Sequence, residues 1–489
     1  MKIAFVTSEA YPFAKTGGLA DVAFSLPRSL AAHGHEVRIF MPRYYRVDKE
    51  RFGLIRFPEP LGVPVGKVEK WAAVLESAAI PGVKTHFIEH DQYFGRDGLY
   101  DDGYREYGDN AERFTFFCRA VMQAMKVLRW IPDIIHCNDW QSGLVPFFHK
   151  TAYRRDPGFS GSATVASVHN AGFQGVFPLG DLALTGCADE PGAVQNASLN
   201  GSLCFLKAGL VYSEAISTVS RTYRDELMTP EYGYELAGVF RELSGRFFGI
   251  TNGADYGTWN PETDPFIPAR YGPGDLAGKR TCAGALRARM GLESGDGAPI
   301  LATVTRVTRQ KGMDVLADTM ELLLVAAPFQ FVMLGSGDDG IIAKFERLRK
   351  IFPERVGLYW GYDEKLAHLM EAGSDIYLMP SRYEPCGLNQ LYSLRYGTVP
   401  VVRATGGLED TVSQWDPRTG SGNGFKFKGL TRGELYHAIR QALRTHLDNA
   451  QWRVLQANAM AFKRTWDDAV PDYERMYEFA LAEARGGRT

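Results

Sequence analysis

The stretch Lys15–Asp21, which reads KTGGLAD, follows a short apolar run at Ile3–Val6 that has the composition of a β-strand. Its core returns in the opposite half of the chain as Thr405–Asp410, which reads TGGLED. Adjacent glycines let backbone N–H groups approach an anion with no Cβ in the way, and a helix that starts directly afterwards adds its positive dipole end. We therefore expect the two stretches to contact one anionic ligand from two sides. A phosphate is compatible with both stretches.

Strand and helix patterns alternate around both stretches. Helical spacing of apolar residues covers Leu19–Ala32, with Pro27 inside it, and similar spacing recurs between later apolar runs. This alternation predicts an α/β fold with two Rossmann-like, doubly wound domains, in which polar residues at strand ends carry the chemistry. The predicted strands are Ile3–Val6, Val37–Met41, Asp133–Cys137, Thr164–Val168, Ile300–Val304, Phe331–Leu334, Ile376–Met379 and Val399–Val402.

A cluster of Gly, Asn and Pro residues at Gly249–Pro261 predicts the domain boundary, since these residues interrupt helices and strands. We expect an N-terminal domain at 1–250 and a C-terminal domain at 251–465. The final stretch, 466–489, is helical in pattern and carries the aromatic residues Trp466, Tyr473 and Tyr477, which need a surface to pack on. We therefore expect a last helix that crosses back to the N-terminal domain.

The composition is that of a globular protein without a broad electrostatic partner. The 489 residues carry a formal charge of −2 and are 45% hydrophobic, which argues against binding to nucleic acid or to an anionic membrane. Charged residues interrupt the longest apolar region, Val315–Leu334, and the N-terminus lacks a signal-peptide pattern. The six cysteines show no Cys-x-x-Cys spacing and no cysteine–histidine ligand spacing. We expect a cytoplasmic protein with buried or reactive thiols.

Three cations follow the strand pattern at Ile300–Val304, within the stretch Thr305–Gly312. Fixed Arg and Lys side chains stabilise the negative charge that builds on a diphosphate leaving group. Arg306 and Lys311 are the candidates for this role, although a solvated loop has the same composition. A glycine turn at Gly335 follows the next strand and is a weaker indication, because such turns also merely connect a strand to a helix.

Two further side chains are candidates for substrate contacts in the second half. Tyr362 precedes a helix and is able to stack on a nucleobase, with a half-buried tyrosine at a helix start as the alternative. Glu384 lies in Pro380–Leu388, directly after a predicted strand. Its Pro and Gly neighbours favour a defined position for the carboxylate over a plain surface location.

Several motifs, in one order over nearly the whole chain, resemble those of bacterial glycogen synthase and plant starch synthase. Two positions depart from the family pattern: Glu409 stands where Ala is usual, and Asn389 stands where Thr is frequent. Glu409 near a diphosphate is repulsive unless it points away. The motifs that carry the resemblance are Lys15–Val22, His136–Trp140, Ser167–Asn170, Asn252–Asp255, Arg306 with Lys311 and Gly312, Glu384–Leu388 and Thr405–Val412.

The resemblance implies the GT-B fold, in which two Rossmann-like domains face a cleft. It also implies the transfer of glucose from ADP-glucose to the non-reducing end of an α-1,4-glucan such as glycogen, with retention at the anomeric carbon. The catalytic residues that it implies are Glu384, His169, Arg306 and Lys311. The donor-binding residues that it implies are Lys15, Gly17, Gly18, Asp21, Asp139, Asn252, Gly335, Tyr362, Gly387, Leu388, Thr405, Gly406 and Gly407.

No metal ion or other cofactor is expected. Mg²⁺-dependent glycosyltransferases usually need a carboxylate pair on one loop, and the sequence contains no Asp-x-Asp. Cations and backbone N–H groups must then stabilise the diphosphate. Retaining hydrolases use two closely facing carboxylates, and no second one is evident here. We expect a front-face path in which the departing phosphate takes the proton of the acceptor.

The acceptor side is predicted from a Gly- and Asp-rich segment with many tyrosines, since sugar rings offer C–H faces to aromatics and hydroxyls to carboxylates. Tyr93 and Tyr100 are the acceptor candidates in this segment, and Glu9 on the first loop is a third. A loop held in place by its own aromatic side chains explains the same composition.

Three alternatives stay open, as does the oligomeric state. The donor is UDP-glucose in the first, because stacking on Tyr362 does not distinguish adenine from uracil. The second is a glucan-binding regulatory protein without catalysis; binding alone does not require the whole charged set of Lys15, Arg306, Lys311 and Glu384. The third is a phosphorylase, which needs a lysine-bound pyridoxal site for which no segment argues.

Overall fold

The computed structural model describes residues 1–294 and 297–486. Its strands are β1 (Lys2–Val6), β2 (Glu36–Pro42), β3 (Ile55–Arg56), β4 (Leu61–Val65), β5 (Val68–Ile80), β6 (Val83–Glu89), β7 (Ile134–Asn138), β8 (Ala163–Val168), β9 (Val176–Pro178), β10 (Ser198–Leu199), β11 (Ser202–Cys204), β12 (Ala215–Thr218), β13 (Phe247–Gly249), β14 (Ile300–Val304), β15 (Gln330–Gly335), β16 (Val356–Trp360), β17 (Ile376–Met379), β18 (Val399–Arg403) and β19 (Phe425–Phe427).

The α-helices are α1 (Leu19–Ala32), α2 (Asp91–Phe94), α3 (Asn110–Val127), α4 (Leu144–Lys150), α5 (Ala193–Ala197), α6 (Phe205–Tyr212), α7 (Arg221–Leu227), α8 (Pro230–Gly233), α9 (Ala237–Glu242), α10 (Ala277–Met290), α11 (Met313–Ala326), α12 (Asp339–Ile351), α13 (Glu364–Gly373), α14 (Asn389–Arg395), α15 (Gly406–Thr411), α16 (Arg432–Leu447), α17 (Asn449–Ala461) and α18 (Trp466–Gly486). Within the described residues, no helix is both long enough and apolar enough to cross a bilayer.

The chain divides into two compact units. The first contains Met1–Val219, Arg224–Ile250 and the described residues from Trp466 onward, and the second contains Ser220–Tyr223 and Thr251–Thr465. The predicted domain boundary was placed between 250 and 251, and the predicted final segment began at 466. The last three positions of that segment, 487–489, lie outside the described residues.

The first unit is built on a largely parallel sheet. Its parallel strands, in the described part of the chain, run in the order β6-β2-β1-β7-β8-β12-β13. Counted from β1, this is the doubly wound order with one further strand. The order reverses between β1 and β7, so the loops after Val6 and Asn138 meet at the carboxyl edge of the sheet.

The second unit repeats the same topology. Its parallel strands run in the order β16-β15-β14-β17-β18-β19 over the described residues. The order reverses between β14 and β17, which places the loops after Val304 and Met379 side by side. The predicted α/β class with doubly wound parallel sheets is confirmed in both units.

The last helix packs within the first unit. Helix α18 contacts α1, β8 and β12, and the side chains of Trp466, Tyr473 and Tyr477 are buried. The hydroxyl of Tyr477 lies 2.8 Å from Nδ1 of His136, a buried residue of β7. The expected return of the final helix to the N-terminal domain is confirmed.

The sequence patterns do not predict the antiparallel extension of the first sheet. Strand β5 pairs antiparallel with β6, and β3 and β4 pair antiparallel with β5. Gly66, in the turn between β4 and β5, has a φ of +58°, which a glycine adopts without strain. A separate small sheet joins β9, β10 and β11.

Candidate active site

The loop after β1 is held by a buried carboxylate. Glu9 is 4% exposed, and its Oε2 accepts hydrogen bonds from the backbone N–H groups of Thr16 (2.5 Å) and Gly17 (3.2 Å). Its Oε1 accepts from the hydroxyls of Thr16 (2.6 Å) and Tyr100 (2.7 Å). This side chain therefore fixes the course of the KTGGLAD turn.

The glycine pair of this turn opens onto free space. A Cβ added to Gly17 or Gly18 would meet nothing within 4 Å. Gly18 is the N-cap of α1 and makes no side-chain cap, so the first-turn N–H groups of this helix suit an anion. Lys15 Nζ lies 2.7 Å from Asp21 Oδ1, which places an exposed ammonium beside the turn.

Asp139, directly after β7, combines an unusual backbone with a shifted carboxyl group. Its φ of +55° and ψ of −175° lie in a region that side chains rarely adopt. Its Oδ1 accepts a hydrogen bond of 2.7 Å from the backbone N–H of His169. Burial raises the pKa of Asp139 to about 7, although the N–H groups of His169 and Asn170 oppose the shift.

His169 follows β8 and is neutral near pH 7. Its Nε2 lies 2.9 Å from Oδ1 of Asn138, whose Nδ2 donates to the carbonyl of Val6 at 3.0 Å. Because that amide orientation makes Asn138 Oδ1 an acceptor, the proton of the His169 ring is on Nε2. Burial lowers the pKa of His169 to about 4. Nδ1 is then a hydrogen-bond acceptor.

The acceptor candidates lie in different environments. Tyr93 is 1% exposed, donates to Glu112 and stacks on His90 with ring centroids 4.4 Å apart. This burial favours the alternative of a segment held by its own aromatic side chains over a sugar platform at Tyr93. Tyr100 and Glu9 bond to each other, and a direct contact of either with a glucan stays a prediction.

In the second unit, a lysine and a glutamate from neighbouring strand ends meet. Lys311 Nζ lies 2.8 Å from Oε1 and 2.7 Å from Oε2 of Glu384. The hydroxyl of Ser381 donates to Oε2 at 2.8 Å, and Glu384 is 5% exposed. Three hydrogen bonds thus hold this carboxylate in one orientation.

A close backbone approach brings this pair together. Gly312 has a φ of +70°, and a Cβ at this position would lie 1.9 Å from the carbonyl oxygen of Pro380. Only glycine lets the loop after β14 press against the loop after β17 in this way. Arg306, on the same loop, is exposed and lies 3.4 Å from the side-chain oxygen of Gln310.

The second glycine pair has a different environment from the first. A Cβ on Gly406 would lie 2.0 Å from the carbonyl oxygen of Glu384, and one on Gly407 would lie 2.1 Å from that of Cys386. The N–H of Gly407 donates to the carbonyl of Glu384 at 3.1 Å. Both glycines, which follow the buried Thr405, therefore support the backbone that presents the Glu384 carboxylate.

Both departures from the family pattern have local partners. Glu409 forms an ion pair of 2.9 Å with Lys426. This pair offsets the negative charge of Glu409, which was expected to repel a diphosphate. Asn389 donates to the carbonyl of Val304 (2.7 Å) and to the hydroxyl of Tyr377 (2.8 Å). It thus ties the start of α14 to the end of β14.

The nucleotide-side candidates lie at the next strand ends. A Cβ on Gly335 would lie 2.1 Å from the carbonyl oxygen of Thr305, so this glycine allows the loops after β14 and β15 to cross. Gly361 donates from its N–H to the carbonyl of Gly335 at 2.8 Å. Tyr362, which follows, is 79% exposed. Its ring thus presents a large face to solvent, as a stacking platform requires.

The remaining donor candidates lie around the start of α14. Gly387 has a φ of +73°, and Leu388 is the N-cap of the helix. Asn252 is buried, and among the described residues its Oδ1 has no hydrogen-bond partner. Sequence reasoning missed the contribution of Ser381, three residues before Glu384, and that of Asn138. The signal for both was a polar residue at the end of a predicted strand.

The candidates for binding a diphosphate are three cations. The described residues contain no group of three or more His, Cys, Asp or Glu side chains arranged to hold a metal ion. The cations Lys15, Arg306 and Lys311 lie on the loops that follow β1 and β14, and such loops bind ligands in doubly wound sheets.

Comparison with known protein families gives two matches along the chain. Residues 2–242 match the model of the starch synthase catalytic domain, and residues 287–454 match that of glycosyl transferases group 1. Glycogen synthase 1 of Geobacter metallireducens is 44% identical over 490 aligned residues, which cover 99% of this chain and 97% of that protein.

Two solved structures are similar over 98% of this chain and 99% of their own. The catalytic domain of starch synthase IV from Arabidopsis thaliana, bound to ADP and acarbose, has a TM-score of 0.90 and 30% sequence identity. Sucrose-phosphate synthase from Thermosynechococcus elongatus has a TM-score of 0.60 and 18% identity, which indicates a shared fold.

Proposed function

Because the chain belongs to the glycogen synthase and starch synthase family of GT-B glycosyltransferases, we propose that it transfers glucose from ADP-glucose to the non-reducing end of an α-1,4-glucan with retention at the anomeric carbon. The family resemblance noted in the sequence and the GT-B fold are confirmed. The identity of the donor, the roles of the individual residues and the roles of the two domains are the proposal.

The contact between Lys311 and Glu384 carries the proposal. It places a cation and a carboxylate at the point where strand order reverses in the second unit, which is where doubly wound sheets bind ligands. Arg306 lies on the same loop with its side chain exposed. We assign Arg306 and Lys311 to the diphosphate of the donor, where they stabilise the charge of the leaving group. We accordingly assign donor binding to residues 251–465.

The surroundings of Glu384 support a front-face mechanism. Its two oxygens accept hydrogen bonds from Lys311 and Ser381. Hydrogen bonds lower the nucleophilicity of a carboxylate, so we assign Glu384 to the hydroxyls of the glucosyl unit and to the cationic charge that develops at its anomeric carbon. The leaving phosphate then accepts the proton of the attacking hydroxyl. A glucosyl adduct on Glu384, detected by mass spectrometry, would contradict this path.

The first unit supplies groups that suit the sugar and the diphosphate. Lys15 offers a cation and the start of α1 offers backbone N–H groups, which suit phosphate oxygens. The unprotonated Nδ1 of neutral His169 is suited to accept from a sugar hydroxyl, and the carboxyl of Asp139 lies against the same backbone. We therefore assign residues 1–250 to the acceptor side, and we keep Lys15, Gly17, Gly18 and Asp21 as proposed donor contacts.

One observation favours ADP-glucose over UDP-glucose. The starch synthase IV structure, similar over nearly the whole chain, is bound to ADP. Tyr362 offers an exposed ring at a strand end of the second unit, on which either base is able to stack. Independence from metal ions and other cofactors, and a cytoplasmic location, stay predictions.

The test is a comparison of turnover with ADP-glucose and UDP-glucose at equal concentration, with glycogen as acceptor. We expect release of ADP and incorporation of glucose, with UDP-glucose the poorer donor. Faster turnover with UDP-glucose would identify UDP-glucose as the donor. Binding of glycogen without release of either nucleotide would favour a regulatory glucan-binding protein. Repeating the assay with EDTA tests the metal independence.

A further inference from the structure

The Glu9 carboxylate links two segments of the first unit that are distant in sequence. It accepts two hydrogen bonds from Thr16 and one from Gly17, and it also accepts one from Tyr100, which lies 91 positions away from Glu9. Since the Tyr100 hydroxyl donates to Glu9, the hydroxyl of Ser8, 2.7 Å away, donates to Tyr100. The chain of polar contacts therefore runs from Ser8 through Tyr100 and Glu9 to the glycine turn.

The glycine turn depends on this carboxylate for its position. Residues Lys15–Gly18 are exposed, and no side chain packs where Cβ atoms of Gly17 and Gly18 would lie. Further back in the same loop, the backbones of Ala10 and Ala14 pair with each other. Packing at the glycines therefore does not fix the turn, whereas Glu9 accepts hydrogen bonds from two of its backbone N–H groups.

We propose that Glu9 and Tyr100 are positioning residues for donor binding, which orient the glycine turn through the Ser8–Tyr100–Glu9 chain of hydrogen bonds rather than contact the glucan. The inference rests on the proposed donor role of Lys15–Gly18. Glu9 sets where the Lys15 ammonium and the first N–H groups of α1 lie. Tyr100 holds the Glu9 carboxylate in the rotamer that reaches both Thr16 and Gly17.

The experiment measures the affinity for ADP by calorimetry, and the KM for ADP-glucose and for glycogen separately, in Tyr100→Phe and in the wild type. We expect the Kd for ADP and the KM for ADP-glucose to rise about three- to tenfold, which is less than the full value of one hydrogen bond to a charged group because Tyr100 acts through Glu9. We expect the KM for glycogen to stay within about twofold of the wild-type value. Glu9→Gln is expected to weaken ADP binding further, because its amide has one acceptor oxygen for four donors.

Tyr104→Phe is the matched control. Tyr104 lies four residues from Tyr100 in the same segment and is 96% exposed, so loss of its hydroxyl leaves ADP affinity unchanged. If Tyr100→Phe fails to fold, as judged by its thermal transition, Thr16→Val takes its place, because it removes a hydroxyl that donates to the same oxygen of Glu9. The same rise in the Kd for ADP is expected.

Two results would overturn the inference. A raised KM for glycogen with unchanged ADP affinity would make Tyr100 a glucan contact. Unchanged values in Tyr100→Phe, or in Thr16→Val where it takes its place, would remove the proposed role altogether. Failure of the proposed function is distinguished from these two results, because the wild type would then transfer no glucose. ADP affinity is still measurable in that case, and UDP replaces ADP in the titration if the wild type prefers it.

Discussion

Lys311 Nζ lies 2.7 Å from Oε2 of Glu384 and 2.8 Å from Oε1, although the two residues are 73 positions apart in sequence. Both side chains are largely buried, so each charge depends on the other for compensation. In the proposed reaction the same ammonium faces a phosphate. One lysine therefore links the folding of the second unit to its chemistry.

Lys311→Met tests both roles. We expect the free energy of unfolding to fall by about 3 to 5 kcal/mol, because a buried carboxylate loses its partner. We also expect kcat to fall about a hundredfold or more, since a donor to the leaving group is lost. Urea unfolding and steady-state assays measure the two effects. The double variant with Glu384→Gln is expected to be more stable than Lys311→Met alone, and equal stability would contradict the pairing argument.

Lys15→Ala is expected to raise the KM for ADP-glucose about tenfold or more, with a much smaller change in kcat. The ammonium is exposed beside the glycine turn, so its loss removes attraction for the diphosphate while leaving the fold intact. Lys365→Ala, which removes an exposed lysine from the second unit, is the control and leaves KM unchanged. A changed KM for glycogen with an unchanged KM for ADP-glucose would instead assign Lys15 to acceptor binding.

The two glycine pairs are expected to respond differently to alanine. Gly407→Ala forces a Cβ to within 2.1 Å of the Cys386 carbonyl oxygen and is expected to lower stability by about 2 kcal/mol or more, with loss of activity. Gly17→Ala meets no atom within 4 Å and is expected to change stability by less than about 1 kcal/mol. Thermal unfolding of both variants measures their stabilities. Equal destabilisation by the two substitutions would contradict the expected difference between the glycine pairs.

Asp139 predicts a pH dependence near neutrality. Burial raises its pKa to about 7 from an ordinary value of 3.8, so the pH profile of kcat/KM is expected to show an ionisation near pH 7 that Asp139→Asn abolishes. His169, whose pKa burial lowers to about 4, contributes no transition near 6.5.

The same shift determines the sign of the stability change. The folded state binds the Asp139 proton more tightly than the unfolded state does, so its contribution to stability is full below pH 3.8 and is lost as pH rises through about 7. Asp139→Asn is therefore expected to gain stability relative to the wild type between pH 4 and pH 8. Denaturation curves at these two values measure the gain, and a constant difference would contradict it.

Local patterns predicted the elements of the fold better than the site. Helix Leu19–Ala32 was predicted with its observed bounds, because apolar spacing and a terminal glycine act within a few residues. The pair Lys311–Glu384 was not predicted as a contact, since it depends on which strands become neighbours. The β4–β5 hairpin was missed although Gly66 signals its turn, because one glycine between two apolar runs is common.

The placement of α18 has a consequence for how the protein is made. This helix covers β8 and β12, yet on the ribosome it emerges only after the whole second unit has been synthesised. At about 5 to 20 residues per second, the interval between Thr218 and Trp466 lasts roughly 10 to 50 s. During that time the nascent first unit presents an uncovered apolar face, with His136 lacking the hydroxyl of Tyr477. Chaperone binding and misassembly during translation are therefore expected to concentrate on this face.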